Sequence, residues 1–244
     1  MSTIVFLDTR GEKLPKAARE AVTYASQLAG GPVTAVTFGD AQGLETLGAQ
    51  GAGKVIVARG LKTVDGQQLT RLVADVATKE HADTIVCVHD ATGKTVAPRV
   101  AVRLKAGHVA GVTGLPEGGL FRRNVFSGKA RAFVEVKSPV KVLSLMPNSI
   151  AVGTGTNSAT VEEYAGDPGP ARITVKEVRK AGSGVPLPEA DLVVSAGRGM
   201  KGPEHWGLVE ELAKEVGAYT ACSRPVADMH WRPHHEHVGQ TGLA

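Results

Sequence analysis

The chain has 244 residues, 42% hydrophobic and 21% charged, which suits a soluble globular protein long enough for two separately cored domains. Its 28 basic and 24 acidic side chains leave a net charge of +4 spread along the chain, and aromatics are 4%, which argues against a nucleic-acid surface with base-stacking platforms. Only Cys87 and Cys222 are cysteines, both inside apolar runs and without a CxxC pair, so buried thiols in a reducing compartment are predicted rather than a disulfide scaffold.

The N-terminal Met1 to Asp8 runs straight into a strand with no basic region before it, and no apolar run is long enough to span a bilayer. No membrane insertion and a cytoplasmic location are expected. After the Ile4 to Leu7 strand, Pro15 to Leu28 places Ala18, Val22, Ala25 and Ala29 on one helical face, with Gly30-Gly31 as a stop. Strands are predicted at Pro32 to Phe38, Val55 to Ala58 and Thr84 to Val88. Helical spacing recurs in Leu69, Leu72, Val73 and Val76 and again over Val96 to Leu104. Such alternation predicts a doubly wound, mostly parallel α/β sheet.

The period then changes. Leu120 to Phe126, Ala130 to Val136 and Val140 to Leu145 are joined by Ser127-Gly128-Lys129 and Lys137-Ser138-Pro139, connections short enough to predict antiparallel hairpins. Gly153 to Ser158 and Gly166 to Pro170 read as connecting segments, followed by a strand over Ile173 to Val178. Ala181 to Pro188 reads as a linker, giving an N-terminal domain over 1–182 and a second over 183–244. The second opens with a strand at Asp191 to Val194 and a glycine loop from Ser195 to Pro203. A helix follows from Glu204 to Val216, striped by Leu208, Val209, Leu212 and Val216, and then a strand ending near Ala221.

Three motifs occupy the last fifty or so residues: Ser195-Ala196-Gly197-Arg198-Gly199, Ala221-Cys222-Ser223-Arg224 and Val238-Gly239-Gln240-Thr241-Gly242. The first two follow apolar strands, and each of the three combines small residues with a guanidinium or an amide. That chemistry brings backbone N–H groups and fixed positive charge to a phosphate or flavin. By contrast, Thr92-Gly93-Lys94-Thr95 lacks the first glycine of a P-loop, because Val88 stands there, and reads as a helix start. His230, His234, His235 and His237 crowd beside Asp228 and Glu236, which predicts adventitious metal affinity and no dedicated metal site.

In their order and spacing the three motifs, with Pro225-Val226-Ala227-Asp228 after the second, resemble the FAD-binding domain of the electron transfer flavoprotein α subunit. Thr92-Gly93-Lys94 with Pro98-Arg99-Val100-Ala101, and Lys137 to Val142, extend that resemblance through the first domain to nearly the whole chain. The resemblance implies an adenine nucleotide alpha hydrolase-like first domain contacting a β subunit, then a flavodoxin/Rossmann-like FAD-binding domain. It also assigns FAD contacts. Arg198 would bind the pyrophosphate, Ser223 would place a hydroxyl near the cofactor and Arg224 a guanidinium over the isoalloxazine. Gly239, Gln240 and Thr241 would form the third contact, with Thr241 near N5. A fixed cation there stabilises negative charge on the flavin and raises its reduction potential.

The implied protein is one half of a bacterial heterodimer in fatty acid β-oxidation. It would be an electron carrier without turnover of its own, so no catalytic acid or base is expected. Its implied partners are an AMP-binding electron transfer flavoprotein β subunit, acyl-CoA dehydrogenases as donors, and electron transfer flavoprotein-quinone oxidoreductase as membrane acceptor. The family pattern continues beyond Gly242, so a C-terminally incomplete FAD domain is expected, one that alone binds FAD weakly or not at all. The competing readings are a cofactor-free scaffold and an adenine-nucleotide-binding module built on the first domain, where Asp8 and Thr9 close the first strand.

Overall fold

The computed structural model describes residues 2–10, 14–28, 30–177, 187, 190–239 and 242. The chain divides into two compact units, Met1–Lys176 and Glu177–Ala244. The boundary expected after residue 182 lies outside the described residues.

In the first unit the elements run β1 (Thr3–Phe6), α1 (Lys16–Leu28), β2 (Val33–Phe38), a 3-10 stretch (Leu44–Gln50), β3 (Lys54–Ala58), α2 (Gly66–Lys79), β4 (Thr84–Val88) and α3 (Ala91–Leu104). They continue as β5 (Gly107–Val112), β6 (Phe121–Val125), β7 (Ala130–Val134), β8 (Lys141–Leu145) and β9 (Thr160–Glu163). Among the described residues these strands form one sheet in the order β7-β6-β5-β8-β4-β1-β2-β3-β9. Every neighbouring pair is parallel except β5 with β6 and β6 with β7.

Side chains alternate across the central strands, so each strand feeds two cores. Val5, Leu7, Val86 and Leu143 pack with Val22 and Ala25 of α1 on one face. Ile4, Phe6, Ile85 and Val142 pack with Leu69 and Val73 of α2 and Val96 and Val100 of α3 on the other. The α2 positions predicted from periodicity are all buried, and so are Ala18, Val22 and Ala25 of α1. Ala29 lies outside the described residues. The third helix begins at Ala91, earlier than its apolar spacing predicts, because the Asp90 carboxylate caps it by accepting from the Gly93 N–H at 2.7 Å. Pro98 sits within that helix on its exposed side.

Two expectations for the middle of the chain are corrected. β6 and β7 do form an antiparallel hairpin, but β8 leaves it and inserts between β4 and β5, parallel to both. Val142, Leu143 and Leu145 are buried, which suits a central strand covered on both faces and not the open edge of a hairpin. Ser138 directs the exit: its Oγ accepts from the Gly107 N–H at 2.7 Å and donates to the Val140 carbonyl at 2.6 Å. In place of the strand predicted from Ile173, residues 171–177 form no strand, and Val178 lies outside the described residues. The Arg172 and Ile173 amides donate to Asp65 at 2.6 and 3.2 Å instead of to a ladder.

The second unit contains β10 (Val193–Ala196), α4 (Gly207–Glu215), β11 (Tyr219–Cys222) and α5 (Arg224–Asp228), with β10 and β11 parallel. The predicted stripe of α4 is corrected. Trp206, Val209 and Ala213 face the core, whereas Leu208, Leu212 and Val216 are exposed. A step of one residue turns a helix by about 100°, so of the predicted stripe Val209 lies on the buried face while the Leu208, Leu212 and Val216 row lies off it.

Candidate functional site

β10 and β11 lie side by side and parallel, so the loops that leave their carboxyl ends emerge on the same edge. Such edges are where ligands of open α/β sheets sit. After β10, Gly197 is extended and Arg198–Met200 forms a 3-10 turn closed by the Met200 N–H donating to the Gly197 carbonyl at 3.1 Å. After β11, the Ser223 N–H donates to the Ala196 carbonyl at 3.1 Å, which ties the second motif to the end of the first strand. A Cβ added at Gly197 would stand 3.3 Å from Ser223 Oγ, so a side chain there would crowd the serine.

The third motif reaches the same edge. Cys222 and His237 form a parallel bridge, and the Val238 N–H donates to the Cys222 carbonyl at 2.9 Å. Gly239 follows with φ 111°, a left-handed backbone that L side chains rarely adopt. Arg198, Ser223, Arg224 and Gly239 are thus brought to one edge, while Gln240 and Thr241 lie outside the described residues. Arg198 is exposed and makes no ion pair among the described residues. Among the described residues Arg224 has only a loose 3.4 Å contact with Asp228, both side chains more than half exposed, which holds it weakly. Two available guanidinium groups beside backbone turns rich in glycine fit a pyrophosphate-bearing cofactor.

Arg232 braces this edge and was not singled out from the sequence. Its Nε and Nη2 donate to Glu236 at 2.8 and 2.7 Å, its Nη1 donates to Glu210 on α4 at 2.8 Å, and its guanidinium lies over the Trp206 ring at 5.8 Å. Its hydrogen bonds to Glu236, outweighing burial, raise its pKa. Burial first, then Glu236, pushes the Cys222 thiol up against the opposing Arg232 charge. The Arg-x-x-x-Glu spacing was the available signal, but a single pair of that kind reads as a solvated surface pair. His230 and His234 meet edge to face at 6.0 Å, and among the described residues no group of three or more His, Cys, Asp or Glu comes together to hold a metal.

In the first unit, strand order changes direction between β1 and β4, and the side chains at that crevice are turned on one another. Arg10 forks onto Asp8 at 2.8 and 2.7 Å, the Thr92 hydroxyl donates to Asp8 at 2.6 Å, and Thr9 bonds Thr37 at 2.6 Å. Burial pushes the Asp8 carboxyl up, and the hydrogen bonds of Arg10 and Thr92 more than offset it. Asp90 goes the other way, raised by burial despite the Gly93 N–H.

Fold and site together define a two-unit α/β protein whose smaller unit presents a cationic, glycine-containing strand edge. Residues 3–169 match the family model of the electron transfer flavoprotein domain, and residues 186–244 match that of the electron transfer flavoprotein FAD-binding domain. The electron transfer flavoprotein subunit alpha of Bacillus subtilis (strain 168) is 30% identical over 250 residues, covering 98% of this chain and 77% of the relative. That of Syntrophomonas wolfei is 32% identical over 253 residues, 98% of this chain and 78% of the relative. A probable mitochondrial subunit alpha from Caenorhabditis elegans is 27% identical over 248 residues, 99% and 74% of the two chains. The chain belongs to the electron transfer flavoprotein family, on the α-subunit side. Among the described residues no helix is long and apolar enough to cross a membrane.

Proposed function

We propose that this chain is the α subunit of a heterodimeric electron transfer flavoprotein, carrying electrons on FAD at the edge formed by β10 and β11. The observation that supports this most directly is the convergence of Arg198, Ser223, Arg224 and Gly239 at the carboxyl ends of those parallel strands, tied by the Ala196–Ser223 and Cys222–Val238 hydrogen bonds. FAD would supply the redox chemistry. Arg198 would neutralise its pyrophosphate, Ser223 would donate a hydroxyl beside it, and Arg224 would hold positive charge against the ring, with Gly239, Gln240 and Thr241 closing the third side.

In this reading residues 1–182 form the domain that meets an AMP-binding β subunit and residues 183–244 the flavin-binding part. The protein is a cytoplasmic bacterial carrier without substrate turnover, with acyl-CoA dehydrogenases of fatty acid β-oxidation as donors and a membrane quinone oxidoreductase as acceptor.

Co-expression with the presumed β partner, followed by an absorbance spectrum of the purified complex, tests the proposal. A flavin band is expected, with retention falling about tenfold in Arg198→Ala, the loss of roughly one charge-assisted bond. A colourless, stable heterodimer would refute the carrier reading in favour of a scaffold. Failure to bind a β subunit would refute both.

A further inference from the structure

In the first unit, the outer faces of α2 and α3 flank an open depression of about 270 Å³ lined by Gln67, Thr70, Arg71, Arg99 and Arg103. No carboxylate lines it, and none of the three arginines forms an ion pair among the described residues. Arg71 is held from one side by the Pro168 carbonyl at 3.3 Å. Arg99 lies beside the close approach of the two helices at Gly66. A Cβ there would stand 2.9 Å from Thr95 Cγ2 and 3.7 Å from Cζ and Nε of Arg99, so the guanidinium lies across a bare backbone. The first-turn amides of α2 are already taken by Asp65, so the positive charge at this cavity comes from side chains.

Three like charges around one small open depression favour an anion among them, and Arg71 and Arg103 also line an adjoining depression with Asp75 and Asp167. We propose that this cavity is a binding site for the phosphate group of a phosphomonoester, with Arg71, Arg99 and Arg103 as its cationic partners. A tetrahedral phosphate offers three terminal oxygens to three guanidinium forks, while a carboxylate offers only two. The amide of Gln67 adds a neutral donor, while the Thr70 hydroxyl already donates to the Gly66 carbonyl. A second cavity of about 350 Å³ shares Gln67 and Arg99 and is lined further by Val64, Asp65, Gly66, Thr95, Arg172 and Ile173, with the Asp65 carboxylate engaged by backbone amides, so that Val64, Thr95 and Ile173 offer the organic part of the ligand its apolar contacts.

Phenyl phosphate is the probe. Titrated into the full chain at low salt and followed by NMR of the arginine side-chain Nε–H groups and by calorimetry, it is expected to saturate and to shift the signals of Arg71, Arg99 and Arg103. Arg99→Gln and Arg103→Gln alter exposed side chains and should keep the thermal midpoint, each weakening binding about tenfold, as expected for a lost charge-assisted bond. Absence of saturation, or binding unchanged in both variants, overturns the proposal.

Discussion

Replacing Asp65 offers a test that separates two jobs carried by one buried carboxylate. Asp65 is 1% exposed. Its Oδ1 accepts from the Gln67 and Gln68 amides at 2.8 and 3.2 Å and caps α2. Its Oδ2 accepts from the Arg172 and Ile173 amides at 2.6 and 3.2 Å and pins the segment that follows β9. Asp65→Ala removes both. Loss of the cap costs about 1 kcal/mol. The freed 172–173 amides are on an exposed segment that water can reach, so each lost bond costs about 1 kcal/mol and not the full burial penalty, for a total of about 3 kcal/mol. Asp65→Asn keeps an acceptor for the helix but turns an N–H₂ donor onto the other two amides, so about 2 kcal/mol should go and the cap remain.

Denaturant unfolding followed by far-UV circular dichroism gives the totals. Amide hydrogen exchange then assigns them: Arg172 and Ile173 should exchange faster in both variants, Gln67 and Gln68 only in the alanine one. Burial raises the Asp65 carboxyl, and its backbone donors more than offset that, so the folded pKa lies below the ordinary value. A depressed carboxylate stabilises fully above its unfolded pKa, about 3.9, and loses its contribution as pH falls through the folded value. The gap between wild type and Asp65→Asn should therefore be flat near neutrality and close below about pH 4. Equal losses in the two variants with equal exchange at Gln67 and Gln68, or losses under about 0.5 kcal/mol in both, would refute this division of labour.

Gly93→Ala should be severe although the backbone there is ordinary helix, because the added methyl would overlap the Val88 carbonyl oxygen and crowd Asp90 Oδ1 at 3.3 Å. Overpacking together with a displaced cap is worth about 3 kcal/mol, a fall of roughly 10 °C in Tm by differential scanning calorimetry, and an unchanged Tm would contradict it. Tyr24→Phe should go the other way. The Tyr24 hydroxyl is buried without a hydrogen-bond partner among the described residues, and burial raises its pKa. Deleting it leaves the ring packing intact and should leave stability unchanged or up to about 1 kcal/mol higher in urea unfolding; a loss larger than that would reveal a partner the hydroxyl depends on.

Legibility followed the physics of each element. β1, β4 and α2 were readable because their apolar period and their burial agree: Ile4 to Leu7 and Ile85 to Val88 are buried runs, and Leu69, Leu72, Val73 and Val76 make one face. β8 was readable as a strand but not in its place, since the short Lys137 to Pro139 connection is compatible with a hairpin and only competition for the two-sided slot beside β4 decides against it. β9 was silent because all four of its residues are exposed and its order comes from backbone pairing to β3. At the site, Arg198, Ser223 and Arg224 were visible because each follows an apolar strand. Arg232 was not, because its link to Glu210 spans 22 residues that only the fold closes.

The way the three motifs are tied explains how segments so far apart in sequence can serve one ligand. Each later motif is anchored to the last carbonyl of the strand before it in space: Ser223 to Ala196, and Val238 to Cys222. Their separation across the edge is therefore set by strand spacing, about 4.8 Å per step, and not by the length of the chain between them. α4 and the histidine-rich segment are free to differ in sequence provided they return the chain in register. Arg232 does that for the second connection, joining Glu210 on the helix to Glu236 just before the third motif. Arg198, exposed and without an ion pair among the described residues, and Arg224, with its loose contact to Asp228, are left out of this bracing, which is the arrangement an anionic ligand requires: a rigid backbone frame carrying available charge.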